Sequence, residues 1–132
     1  MAAKHAIRGQ PGRLSGRRVT DNRRVAGVVE IRTYKLLPGM GGKFHRTVVE
    51  EVMPLLERWE TKVVAFGPSL DDADLYFLLR GYESVDALQA SQDEFYGSDE
   101  WRSGPREAVV SRIESSISVV IPAGQLESAR II

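Results

Sequence analysis

Residues 28–37 read Val-Val-Glu-Ile-Arg-Thr-Tyr-Lys-Leu-Leu, and Pro38-Gly39 follows at once. Alternation of this length is the pattern of a strand, with Val29, Ile31 and Thr33 on one face and Glu30, Arg32 and Tyr34 on the other. A strand cannot stand alone, so the rest of the chain must supply sheet neighbours and at least one covering layer. The apolar face is expected to pack on the helix that follows. The Glu30-Arg32-Tyr34 face is then expected to look the other way, toward a second subunit or a cavity on that side. Pro38-Gly39 ends the strand and turns the chain.

The next stretch, 40–60, is helical by period. On a 100° wheel Phe44, Val48, Val49, Val52, Leu55, Leu56 and Trp59 share one arc, and His45 falls inside it. Lys43, Arg46, Glu50, Glu57 and Arg58 lie opposite. Pro54 is expected to remove a backbone donor and kink this helix. A short strand at 62–66 is closed by Gly67-Pro68, and a polar turn covers 69–74. The second strong strand, 75–81, puts Leu75, Phe77 and Leu79 on one side and Tyr76, Leu78 and Arg80 on the other. Ser84 is a good N-cap for a helix over 85–95, with Val85, Leu88, Gln92 and Phe95 on one face. Ser98 starts a single turn, Pro105 opens a helix extending to about residue 115, and 116–121 is the last strand.

The order β-α-β-β-α-(α)-β is that of an α+β, ferredoxin-like βαββαβ domain with a four-stranded antiparallel sheet. Helices then cover one face only. Leu78 and Val120 are expected on the other face, which a second copy would cover. The result would be a dimeric α/β barrel. At 132 residues and 42% apolar content, the chain fits one domain. The boundaries expected are a basic, unstructured extension at 1–26, the α/β domain at 27–123, and a loose tail at 124–132.

Charge totals zero over the chain but is unevenly placed. Residues 1–24 carry seven basic side chains against Asp21, a net +6, and the remainder is −6. The overall balance and the acidic domain give no case for nucleic acid. The absence of cysteine rules out disulfides and thiolate chemistry and fits a reducing compartment, so a cytoplasmic location is expected. The longest apolar runs are strand-sized, far short of a membrane span.

Glu30-Ile31-Arg32-Thr33-Tyr34, followed by Pro38-Gly39 opening a helix, resembles the first-strand motif of the NIPSNAP family. Phe95-Tyr96-Gly97-Ser98-Asp99-Glu100-Trp101 resembles the turn before the last helix in the wider dimeric α/β-barrel superfamily, which includes antibiotic-biosynthesis-type monooxygenases. The likeness spans about residues 28–122. It implies a homodimer with a pocket in each protomer, between sheet and helices or inside the barrel. It implies no single reaction, because the superfamily holds cofactor-free oxygenases, haem-degrading enzymes, isomerases, dehydratases and non-enzymatic members.

The residues that can carry chemistry follow from type and position. Glu30 and Arg32 can pair at an interface, or Arg32 can bind an anion while Glu30 orients it. Tyr34, one step along, can be core or can hydrogen-bond an oxyanion. His45 is either a satisfied core histidine or a general base. Tyr76 and Arg80 add donors if they share the Arg32 face. Trp59 and Trp101, with Phe95 and Tyr96, are core aromatics or the cap of an apolar pocket. One domain histidine and no cysteine offer no zinc set. Asp71, Asp72 and Asp74 lack EF-hand spacing, and Lys43 lacks the following Ser or Thr of a phosphate loop.

The expected protein is therefore a small homodimer that binds an apolar, weakly acidic molecule without metal or cofactor. In the catalytic version His45 is the base, Arg32 and Tyr34 hold the oxyanion, and Glu30, Tyr76, Arg80, Trp59 and Trp101 shape the site. The rival is a non-catalytic interaction protein that uses its sheet face to dimerise. The catalytic version carries an internal tension. His45 points at the sheet from the helix side, whereas Arg32 is expected on the other side, so the two meet only if the site opens near Tyr34 and Pro38.

Overall fold

The computed structural model describes residues 27–129. The expected basic extension at 1–26 lies outside the described residues. Strand β1, Val28–Leu36, leads through Pro38-Gly39 into α1, Gly41–Thr47. Gly39 has φ +81°, a left-handed turn conformation that a side chain would strain. After a wide π turn at Val48–Val52 the helix resumes as α2, Met53–Arg58. Strands β2, Lys62–Pro68, and β3, Leu75–Tyr82, form an antiparallel hairpin. Helices α3, Val85–Tyr96, α4, Asp99–Arg102, and α5, Arg106–Val110, precede β4, Ile113–Pro122, and α6, Ala123–Ala129.

The sheet is antiparallel in the order β2-β3-β1-β4. This is the expected four-stranded ferredoxin-like sheet, with β1 and β3 central. Both predicted serine caps form: Ser84 accepts from the Ala87 N–H at 3.0 Å and Ser98 from the Trp101 N–H at 3.2 Å. Each satisfies a donor that the helix start leaves open.

Pro54 does act on the helix, and the π turn is how. The Met53 N–H reaches back five residues to the Val48 carbonyl. A proline ring would crowd the carbonyl four residues before it in a regular helix, and the wider turn relieves this. The wide turn also breaks the 100° phase. Val49, placed by the wheel in the apolar arc, is 46% exposed, whereas Val48 and Val52 are buried.

The faces of the sheet are the reverse of the expectation. Side chains directly opposite in an antiparallel pair share a face. Glu30 lies opposite Arg80, Arg32 opposite Leu78, and Tyr34 opposite Tyr76. This face meets the helices: the Tyr34 ring lies 5.7 Å from Phe44 on α1, and Gln92 on α3 bonds Glu30. Leu78, expected on the far face, is 6% exposed in the covered layer. Val120, opposite Glu30, also belongs to the helix side. The far face carries Ile31, Val119 and Leu79 in one row and Thr33, Ile117 and Phe77 in the next. Ile117 and Val119 are exposed.

Three boundaries also differ. The helix after Pro105 ends at Val110, and β4 starts at Ile113, because pairing with Leu36 across a register shift extends the strand. The described part of the tail expected to be loose, up to Ala129, belongs to α6, and 130–132 lie outside the described residues. The first N–H of α6, on Ala123, bonds the Gly27 carbonyl at 2.8 Å. That bond anchors it beside the start of β1. Among the described residues no helix is long and apolar enough to cross a membrane.

Candidate ligand site

The covered face holds a charged network between sheet and helices. The Arg80 guanidinium donates to Glu30 Oε1 at 2.8 Å, and the Arg32 guanidinium to Glu30 Oε2 at 2.6 Å. Gln92, one face of α3, donates from Nε2 to Glu30 Oε1 at 2.9 Å and accepts from Arg32 at 3.2 Å. Its amide also lies 3.2 Å from the Tyr82 hydroxyl. Arg80 donates in addition to the Tyr96 hydroxyl at 2.9 Å. Glu30 and Arg80 side chains are each only 2% exposed, and Arg32 is 22%. Such a group survives burial because each ion is paired and hydrogen-bonded.

Burial alone would push the Glu30 carboxyl up. The Arg80 charge, the Arg32 hydrogen bond and charge and the Gln92 amide outweigh it and hold the carboxyl below its ordinary range. One carboxylate nevertheless serves two guanidinium groups. The Nε atoms of Arg32 and Arg80 are buried without a hydrogen-bond partner among the described residues. Cationic capacity at this site thus exceeds what Glu30 takes up.

Beside the network is a cavity of about 30 Å³, walled mainly by Phe44, Val48, Val52, Leu56 and Leu78, with Tyr34, Tyr76, Arg80 and Tyr96 at its margin. Burial pushes the Tyr34 phenol up to about 12 and raises Tyr76 further, so both are neutral donors at ordinary pH. The Tyr34 ring packs against Phe44 at 5.7 Å. Tyr76 is held by His45, whose Nδ1 is 2.6 Å from its hydroxyl.

The expected residues sort clearly. Glu30, Arg32, Tyr34, Tyr76 and Arg80 are brought together, on the helix side rather than the far side. That placement removes the tension over His45, which faces the same layer. His45 does not itself line the cavity and touches it through Tyr76. Trp101 is buried and lines the cavity, its ring tilted against Phe95 and edge-on to Tyr96. Trp59 does not line it. Its ring meets Phe95 edge-on and its indole N–H donates to Glu100 at 2.7 Å, tying the end of α2 to α4. Tyr82 and Gln92 were given no role from sequence. The available signal was period two: Tyr76, Leu78, Arg80 and Tyr82 occupy one face of one strand. Among the described residues no group of three or more His, Asp or Glu could hold a metal ion.

No family model matches the sequence, and no curated protein does. Solved structures do match. A NIPSNAP-like domain protein from Burkholderia xenovorans is 15% identical, with a TM-score of 0.67 over 74% of this chain and 84% of that one. A NIPSNAP family protein of unknown function from Agrobacterium tumefaciens is 17% identical, with a TM-score of 0.67 over 74% of this chain and 88% of that one. A putative antibiotic biosynthesis monooxygenase from Nitrosomonas europaea is more distant, at 14% identity and a TM-score of 0.54 over 70% of this chain and 94% of that one. The chain therefore has the α+β architecture of the NIPSNAP and dimeric α/β-barrel structures. At these identities the likeness is one of fold.

Proposed function

We propose that the protein is a homodimeric small-molecule binder that takes an apolar, weakly acidic ligand between sheet and helices. One observation carries this reading: two guanidinium groups share a single buried carboxylate, and one of them, Arg80, reaches the wall of an apolar cavity. An acid group would meet the surplus positive charge of Arg80 and Arg32 in a medium of low polarity, where the attraction is strong. The neutral Tyr34 and Tyr76 phenols supply donors to the same group. The dimer follows from the far sheet face, where exposed Ile117 and Val119 call for a cover.

A second, catalytic reading is favoured by the His45–Tyr76 contact. Tyr76 can give its hydroxyl proton to an oxyanion on the ligand while His45, when doubly protonated, replaces it from Nδ1 and is left as the neutral imidazole. In this reading His45 acts through Tyr76 rather than directly on the ligand. Arg32, paired to Glu30 and Gln92, stands behind Arg80, and Arg80 is the cation at the cavity wall.

Isothermal titration with decanoate and with decanol tests the binding reading. Decanoate should bind the native protein at least about tenfold more tightly than decanol. Arg80→Met should abolish that preference. Should Arg80→Met fail to fold, Tyr34→Phe, which keeps the ring, should still weaken decanoate a few-fold. Equal binding of acid and alcohol, or no binding of either, overturns the reading.

A further inference from the structure

The inner cavity meets a second concavity at Met53. About 30 Å³ accommodates one or two waters and no organic acid. On the outside, between the wide turn, α2 and the edge strand β2, runs an open groove of about 580 Å³, walled by Val49, Met53, Val63, Val64 and Phe66 with Glu57 beside them. That volume is in the range of small-molecule sites, and its lining is mostly apolar, with Glu57 and Thr61 as its polar members. The groove has room but no cation, while the cavity has a cation but no room. Met53 lines both.

Met53 is also placed to move. It is half-buried, and its backbone N–H closes the wide turn onto Val48. The next residue, Pro54, has no N–H to tie the chain at that point. Methionine is unbranched, turns about three side-chain bonds and adapts to altered surroundings. Wide turns of this kind are frequent at functional sites.

We infer that the groove and the cavity are two ends of one site, with Met53 as the movable wall between them. The ligand is then an elongated acid. Its head reaches Arg80 and the Tyr34 hydroxyl, and its unbranched apolar tail lies in the groove along Val49 and Phe66. This rests on the acid-binding reading of the cavity. It adds the route of entry, the shape of the ligand and the residue that selects for length.

The chain has no cysteine, so a single introduced thiol is a clean reporter. Val109 is buried at the cavity wall on α5, and Val109→Cys is nearly isosteric. Its reaction with methyl methanethiosulfonate should accelerate at least about tenfold in the Met53→Ala background and slow in Met53→Phe. Leu88→Ala, a buried site on α3 away from the cavity, controls for general loosening. Labelling that follows global stability across all three backgrounds, or ignores Met53, overturns the gate.

The second arm compares butyrate with decanoate by titration calorimetry. Six additional methylenes in an apolar groove should tighten binding by at least about tenfold. Val49→Asp, at an exposed position in the groove wall, should remove most of that gain. Gated labelling with no carboxylate bound would sink the acid site, and with it the acidic ligand, and leave only the Met53 gate standing. Arg80-dependent binding that ignores chain length and Met53 would sink the present inference alone.

Discussion

The two faces of the sheet have opposite characters, and each is the reverse of what a surface-and-core rule would assign. The face beneath the helices holds Glu30, Arg32, Arg80 and the rings of Tyr34, Tyr76 and Tyr82. The opposite face holds Ile31, Phe77, Leu79, Ile117 and Val119, with Val29 buried near the start of α6. Polar side chains are inside because they satisfy one another across strands. Aliphatic side chains are outside, which is costly for a lone subunit and economical for a paired one. The comparison teaches that the charged layer is covered and internally paired, whereas the apolar layer is left open at Ile117 and Val119.

The largest effect is expected from breaking the covered face. Glu30→Gln leaves two guanidinium groups without their carboxylate, and the loss should be about 3–5 kcal/mol, read by denaturant unfolding. Glu30→Leu combined with Arg80→Met should lose less than the two single changes summed, because the pair is removed together. The acid side follows the same logic. The Glu30 carboxyl is held below its ordinary value of 4.5, so its contribution is fully present above that pH and is lost as pH falls through the lower, folded value. Stability flat through the acid range, or additive single changes, would show that the network is not what holds this layer.

The order of elements was legible, and so were the caps, because both depend on neighbours in sequence. Ser84 and Ser98 each needed only the helix that follows. The face of β1 was not legible, because its decision lies 50 residues away. Glu30 can be buried only because the β1–β3 register sets it against Arg80, and hydropathy alone sends Val29, Ile31 and Thr33 inward instead. The same register joins Tyr34 to Tyr76, so Glu30, Arg32, Tyr34, Tyr76 and Arg80 share one face, on the helix side rather than the far side. The wide turn was half legible. Pro54 announced a disturbance, but an extra residue per turn leaves no mark in an apolar pattern, and Val49 was misplaced as a result. Gln92 was seen on the right face of its helix, yet nothing in its own neighbourhood announces a carboxylate from a distant strand.

The open face gives the next effect. Ile117→Arg with Val119→Arg places two charges in the middle of the exposed apolar rows. Sedimentation should show the native chain as a dimer and the variant as a folded monomer, with the dissociation constant raised at least about 100-fold. Thermal stability should fall with it and become independent of protein concentration. A native chain that sediments as a monomer, or a variant that stays paired, would remove the dimer from the comparison and leave the exposed rows unexplained.

The smallest effect distinguishes the layers by titration. All four tyrosines of the chain lie between sheet and helices, and the far face has none. Burial raises Tyr34, Tyr76 and Tyr82, Tyr34 to about 12. A phenol whose folded value exceeds its unfolded one stabilises the fold fully below the unfolded value. That contribution disappears as pH rises through the folded value. For Tyr34 the window runs from the ordinary 10 to about 12. Phenolate absorbance of the folded protein should therefore rise late across that window, and the same chain in guanidinium should ionise near its ordinary value. Tyr34→Phe should remove part of the late rise without altering the circular dichroism. If instead all phenols ionise together near 10 while the fold persists, water reaches the covered layer freely. The contrast between a dry, charged interior and an apolar exterior then fails at its inner half.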